Sequence, residues 1–347
     1  MQKYTEAAIL IEQRKPLVVD KIELPQELKF GQVLVELKAS GICGSQLGEI
    51  DGVKGEDKFL PHLLGHEGFG QVKEIGAGVK FIKKDDMVVL HWKPGKGLQS
   101  EPPKYKWRGK VVNAGWVTTF NKHAIISENR CTKITGDINP DIAALFGCAV
   151  TTAFGTIENN AKLKIGESIV VFGAGGIGLN IVQAASMRSA FPIIAIDRFD
   201  NRLNLAKELG ATHTINSSKE DPKPSIEKCL NGGELDVYID NTGVPEIIEL
   251  GYKLVHSKGK VILVGVPKKG SNVLIHTLPL HFGKFIQGTH GGECQPHIDI
   301  PRYINLLKEK KLILDKLISK HFHLKDINNA IESMRLGETA GRIIIKL

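Results

Sequence analysis

Two cysteines and a histidine carry the most chemistry in this chain. His66 and Glu67 stand in the run Pro61-His62-Leu63-Leu64-Gly65-His66-Glu67-Gly68-Phe69-Gly70, a glycine-flanked turn that offers a metal ion a soft and a hard ligand. Cys43 lies 23 residues upstream in Gly41-Ile42-Cys43-Gly44-Ser45, and Cys148 follows in Phe146-Gly147-Cys148-Ala149. Two thiolates and an imidazole suit a borderline-soft ion such as zinc, and three protein ligands leave the fourth tetrahedral position open. An open position separates a catalytic zinc from a structural one. The pattern therefore predicts an enzyme, with Cys43, His66 and Cys148 as ligands and Glu67 as a further candidate.

A second constellation is Gly173-Ala174-Gly175-Gly176-Ile177-Gly178, which fits G-x-G-x-x-G and follows the apolar run Ser168–Phe172. A strand before it and a helix after it make the motif diagnostic of a Rossmann dinucleotide site. Gly173 permits the tight turn, Gly175 lets backbone approach the pyrophosphate, and Gly178 lets helix pack on strand. Gly176 and Ile177 open that helix, whose positive end receives the phosphates. Asp197 ends the next strand, 19 residues after Gly178. Its carboxylate would bond the ribose hydroxyls and repel a 2′-phosphate, so NAD is expected over NADP. Arg198 beside it pulls the other way.

The elements that must position these groups fall into two patterns. Residues 1 to about 140 hold short runs of β-formers broken by glycine: Ala7–Ile11, Gln32–Ala39, Gly68–Ile75, Met87–Leu90 and Thr118–Ile126. They predict a small β-barrel. Between about 145 and 285, strand and helix alternate, with strands at Ser168–Phe172, Pro192–Ile196, Leu235–Asp240 and Lys260–Val266 and a helix at Arg202–Leu209. That alternation is the signature of a parallel sheet. A helix is expected over Leu324–Leu336 with Gly337 as its cap.

Gly-His-Glu followed by Gly70, Gly76 and Val79 resembles the zinc signature of the medium-chain dehydrogenase/reductase superfamily, the zinc alcohol and polyol dehydrogenases. The likeness runs from Ala7–Ile11 to Arg342–Ile345. It implies an α/β plus β fold: a GroES-like barrel catalytic domain over 1–144, a doubly wound parallel-sheet Rossmann domain over 145–285, and a return to the catalytic domain over 286–347. It implies a zinc- and NAD-dependent exchange of hydride between an alcohol, polyol or sugar-derived and possibly phosphorylated, and its carbonyl. Ser45 matches the hydroxyl that bonds the substrate oxygen, and Glu67 an exchanging ligand beside the zinc. Arg202 falls beside the adenosine ribose. Thr152, Val264, Val266, Thr289 and His290 match the nicotinamide end, and Arg342 the pyrophosphate. The run 272–276 reads as an edge strand, and relatives pair this sheet across a two-fold axis, so a homodimer or homotetramer is expected.

Three departures qualify the likeness. Gln46 stands where many relatives carry an aspartate on the zinc histidine, and its amide oxygen is expected to accept the ring N–H. Gly48 replaces a relay histidine. Residues 91–116 hold no cysteine, so the four-cysteine lobe of a structural zinc is missing and one metal per chain is expected. His290, Cys294 and His297 form an H-x3-C-x2-H run that reads as packing or substrate contact. His62 reads as a barrel-edge residue, Cys131 and Cys229 as ordinary thiols, and His321 and His323 as surface positions on a strand.

Composition bounds the rest. The chain has 347 residues, 42% hydrophobic and 24% charged, with net charge +8. That length favours two domains. No apolar run reaches the roughly 18 residues of a membrane span, and no signal peptide is visible. Five cysteines without a framework spacing predict reduced thiols in a cytoplasm. No nucleic-acid-binding signature accompanies the positive charge. Much of it lies between His91 and Lys122, where Lys93, Lys96, Lys104, Lys106, Arg108, Lys110 and Lys122 interleave with Trp92, Tyr105, Trp107 and Trp116. Such a stretch would steer an anionic substrate, or is a solvated loop whose aromatics pack on the barrel. A zinc-free quinone reductase and a nonenzymatic dinucleotide-binding protein are the alternatives; the intact ligand set argues against both.

Overall fold

The structure, a computed structural model, describes residues 3–347. Two compact units are present: one holds the chain up to Cys148 with Gln295–Glu338 and Arg342–Leu347, the other Ala149–Cys294 with Thr339–Gly341. The breaks expected at 144/145 and 285/286 thus fall at Cys148/Ala149 and Cys294/Gln295. The turn Leu145–Gly147 packs on strands of the first unit, and Phe285–Gly288 pairs as the last strand of the second unit's sheet.

In the first unit, Tyr4–Leu10, Val18–Glu23, Lys104–Trp107, Lys110–Asn113 and His62–Leu63 form a closed barrel. A second sheet runs Cys131–Lys133, Met87–His91, Glu67–Ile75, Gln32–Ile42, Arg342–Lys346 and Ile318–His323, with His123–Ser127 also on Gln32–Ile42. Period-two alternation explains the long strand at its centre. Val33, Val35 and Leu37 enter one core with Val72, Val88 and Leu90, whereas Leu34 enters the other with Ile9, Ile22 and Tyr105. Each such buried side chain stabilises by roughly 1.5–3 kcal/mol, and a one-residue slip would exchange the two faces. The register therefore holds three strand ends together: Ser40 faces Gly68 just past Glu67, and Ile42 faces Ile343 just past Arg342. Thr118–Asn121 is not strand as expected, because Thr119 and Phe120 both donate to Leu64 O and turn the chain there.

The second unit is a six-stranded, all-parallel sheet in the order His213–Asn216, Ile193–Asp197, Ile169–Phe172, Leu235–Asp240, Val255–Leu263, Phe285–Gly288. Counted along the chain this is 3-2-1-4-5-6, the doubly wound dinucleotide-binding order. Ile169–Phe172 and Ile193–Asp197 are buried throughout, as their unbroken apolar character requires. The strand expected to reach Val266 stops at Leu263, since Val264 and Gly265 both donate to Asp240 O. The expected edge strand over 272–276 is not strand. Leu274 N bonds Glu249 Oε1, and the Tyr252 hydroxyl bonds His276 O, so this segment is tied to the helix Pro245–Leu254 instead of the sheet. No single helix among the described residues is long and apolar enough to cross a membrane.

Candidate active site

Cys43 caps the helix Gly44–Ile50, His66 precedes the strand Glu67–Ile75, and Cys148 follows the turn Leu145–Gly147. Their ligand atoms lie within 4.8 Å of one another, and both cysteines are buried. His66 Nε2 is buried without a hydrogen-bond partner. A buried polar atom left in that state is costly unless a ligand satisfies it. The donor set, two sulfurs and one imidazole, fits zinc.

Charge is distributed unevenly among them. Cys43 is held well below the usual thiol range, first by a hydrogen bond from Cys148, then by Arg342 and His66. Cys148 is pushed well up by that same bond and by burial. Burial pulls His66 down, yet Cys43, Glu67 and Glu49 leave it raised on balance. A thiolate is thus already favoured at Cys43, and a metal ion would take the place of the shared proton.

Glu67 and Arg342 are brought together by the fold. Glu67 lies outside the ligand cluster, with Oε1 3.0 Å from Arg342 Nε. Both are almost wholly buried, at 0% and 3% exposure. The carboxylate fills the space over Gly41, where a Cβ would lie 2.2 Å from it. Arg342 therefore lies beside the Cys43–His66–Cys148 cluster, its charge felt by both thiols. The antiparallel pairing of its strand with Gln32–Ile42 leaves it no other place, and the buried Glu67 needs a cation. Gln46 also differs: its Oε1 accepts from Cys43 N at 2.9 Å, so its amide nitrogen faces His66 Nδ1 at 2.5 Å. Ser45 Oγ is buried without a partner.

A cavity of about 1000 Å³ reaches His66 and Gln46 and is also lined by Glu49, His62, Lys104 and Trp116. The basic aromatic stretch divides around it. Tyr105 is fully buried and accepts from Ile125 N, Trp107 donates to Asp20, and Trp92 packs against the sheet core. Trp116 stays 57% exposed beneath Arg130. Lys104 lines the cavity, and Lys106 is not among its lining residues. His62 pairs with Asp57 at 2.7 Å.

In the second unit, Gly173 has φ of +95°, and a Cβ on Gly178 would lie 1.9 Å from Gly173 O. Only glycine fits that contact. Gly175 caps the helix Gly176–Met187 without a side-chain bond, and a Cβ on it would meet nothing within 4 Å. The first-turn N–H groups of Gly176 and Ile177 thus face space that suits a phosphate. Asp197 accepts from Ala174 N, Arg198 N and Phe199 N, and Arg202 lies 3.5 Å away. Arg198 and Arg202 both lie over the Phe199 ring. Thr152 is brought to residues 289–292: a Cβ on Gly292 would lie 2.5 Å from Thr152 O, and Gly292 N donates to Thr289 Oγ1. Thr152 Oγ1 is buried without a partner, Val264 is half-buried, and Val266 and His290 are exposed. The sequence reading missed Asp240, which accepts from Thr242 and Gly243 at the end of its strand. An acid closing an apolar strand, as at Asp197, was the available signal.

The comparisons agree with this geometry. Residues 29–136 match the family model of the alcohol dehydrogenase GroES-like domain, and residues 176–309 that of the zinc-binding dehydrogenases. An S-(hydroxymethyl)glutathione dehydrogenase of Paracoccus denitrificans is 29% identical over 383 aligned positions, covering 98% of this chain and 99% of that protein. Benzyl alcohol dehydrogenase of Acinetobacter calcoaceticus superposes with a TM-score of 0.89 at 29% identity, covering 100% of both chains. An alcohol dehydrogenase zinc-binding domain protein of Burkholderia ambifaria gives 0.89 at 27%, covering 99% of both. The chain belongs to the medium-chain dehydrogenase/reductase superfamily, among its zinc-containing alcohol dehydrogenases. It is an oxidoreductase acting on alcohols with zinc and NAD.

Proposed function

We propose that this dehydrogenase acts on a polyol or sugar-derived alcohol, free or phosphorylated, with one zinc per chain. The observation that carries the metal is the buried Cys43–His66–Cys148 cluster with its unpartnered Nε2. Zinc there supplies Lewis acidity to the substrate oxygen. Ser45 would take the hydroxyl proton as it passes its own onward, and NAD, when bound, would supply the acceptor for the carbinol hydride. Glu67 stays with Arg342 and stabilises its charge beside the two thiols. The Gly173–Gly178 turn holds the pyrophosphate, Asp197 and Arg202 the adenosine ribose, and Thr152, Val264, Val266, Thr289 and His290 the nicotinamide end.

Lys54, Lys58 and Lys104 on the cavity wall are the groups that would meet a phosphate, in a lining that also carries Glu49, Glu56, Asp57 and Glu101. Association as a homodimer or homotetramer is supported by exposed apolar residues close to the edge strand, Phe282 and Phe285 among them. The thiols fit a reducing cytoplasm, all five being free.

A panel of free and phosphorylated alcohols, read by NADH absorbance, tests the reading. The anionic members should show kcat/KM falling with salt through screening, and Lys104→Gln should raise their KM while leaving NAD affinity alone. Equal efficiency for neutral alcohols, without salt dependence, would remove the phosphate from the proposal. A monomeric mass in sedimentation at micromolar protein would remove the oligomer.

A further inference from the structure

Oxidising an alcohol with NAD releases a proton as well as a hydride, and Gly48 has no side chain to carry it. Glu49 follows directly. The helix Gly44–Ile50 sets Ser45 and Glu49 four residues apart, one turn above the other on the same face. Ser45 Oγ is buried without a partner, so its hydroxyl is free to exchange protons with a ligand and a neighbour. Glu49 lines the same cavity as His66, and that cavity extends to Phe59, 71% exposed, so it reaches the surface. Among the described residues no donor or cation is paired with the Glu49 carboxylate.

We propose that Glu49 is the proton outlet of this site: Ser45 Oγ takes the hydroxyl proton of the alcohol as its own proton passes to the Glu49 carboxylate. Hydride leaves the carbinol carbon for NAD in the same event. The products are a carbonyl compound, NADH and a Glu49 carboxylic acid, which then yields its proton to water in the cavity. In reduction the acid supplies the proton. The surroundings suit the task. Burial raises the Glu49 pKa, and Cys43 adds to the rise; His66, Lys54 and His62 oppose it. The paired His62 and Asp57 also line the cavity toward Phe59.

The inference rests on the dehydrogenase reading, and one stopped-flow experiment separates the two. Zinc-loaded wild type, Glu49→Gln, Glu49→Ala and Glu49→Asp are mixed with NAD and alcohol in weak buffer, and NADH absorbance and a pH-indicator dye are followed together. In wild type, proton release should keep pace with NADH. Glu49→Gln and Glu49→Ala should form NADH on the order of a hundredfold more slowly, with the pH profile shifted upward. Added imidazole or formate should restore Glu49→Ala saturably, and Glu49→Asp should recover most of the rate. Zinc content, NAD affinity and Tm should stay at wild-type values. A Glu49→Ala protein with wild-type rate and pH profile overturns the outlet, as does a slow variant that no buffer rescues. Wild type that forms no NADH from any alcohol overturns the dehydrogenase reading, and the outlet with it.

Discussion

The metal centre lies beside the strand Met87–His91, which pairs His91 with Glu67, and the loop segments flanking that strand, within 80–100, treat their polar groups differently. At the centre, Ser45 Oγ and His66 Nε2 are buried and unpartnered. In the loop, buried Glu128 accepts from three backbone donors: Lys80 at 2.6 Å, Phe81 at 2.7 Å and Leu98 at 2.9 Å. Arg130 donates to Trp92 O and to Gln99 Oε1, and both ring nitrogens of His91 are occupied, by Lys93 O and Thr132 Oγ1. A carboxylate and a guanidinium tie this stretch down. Most of the polar groups holding this stretch are satisfied within the protein, Arg130 Nε and Asn129 Oδ1 being exceptions, whereas His66 Nε2 stands open among atoms that could ligate a metal.

The largest test of that contrast removes a ligand. Cys43→Ser should lower kcat/KM on the order of a thousandfold, since it withdraws the Lewis acid's several kcal/mol. NAD affinity, measured by fluorescence titration, should be unchanged, because the glycine turn lies in the other unit. Removing the loop's anchor should do the reverse. Glu128→Ala removes three hydrogen bonds to partly buried N–H groups and should cost about 3 kcal/mol, lowering Tm by roughly 5–10 °C while zinc content stays the same. Loss of metal without loss of stability would show that the loop belongs to a metal site.

His91 sharpens the same contrast through pH. Burial, opposed by the bond to Lys93 O, lowers its pKa to about 4. In the unfolded chain a histidine titrates near ~6.5, so as pH falls the unfolded state takes up the proton first. Its contribution is whole above about pH 6.5 and is lost as pH drops toward 4, an effect of roughly 3 kcal/mol. Denaturant titrations of wild type and His91→Asn across that window should diverge in slope; parallel curves would contradict the buried neutral ring. The smallest effect is expected at Asp197, whose carboxylate is already engaged by three backbone N–H groups. Asp197→Ser should relax the preference for NAD over NADP about tenfold, roughly 1.4 kcal/mol. Higher kcat/KM for NADP in wild type would mean that Arg198 decides instead.

What could be read in advance follows from how far each feature depends on distant pairing. The Cys43, His66 and Cys148 ligands announce themselves by chemistry, and the Gly173–Gly178 turn by a local steric need. The parallel sheet follows from strands without polar alternation. The Arg342–Glu67 pair was not foreseen because it is met only through the pairing of Arg342–Lys346 with Gln32–Ile42, some 300 residues away in sequence. The run 272–276 has strand-forming residues, yet bonds from Glu249 and Tyr252 decide its course. Glu128 went unnoticed because its partners are backbone N–H groups, which leave no trace in residue type. Gln46 was placed correctly, but the Cys43 N–H took the oxygen that was expected to face His66.

Zinc K-edge X-ray absorption on the purified protein, with elemental analysis of the same sample, tests the central claim most directly. One zinc per chain is predicted, with a shell of two sulfurs near ~2.3 Å and two nitrogen or oxygen atoms near ~2.0–2.1 Å, and with the metal lost in Cys43→Ser. Two zinc ions per chain, or a four-sulfur shell that survives in Cys43→Ser, would contradict it.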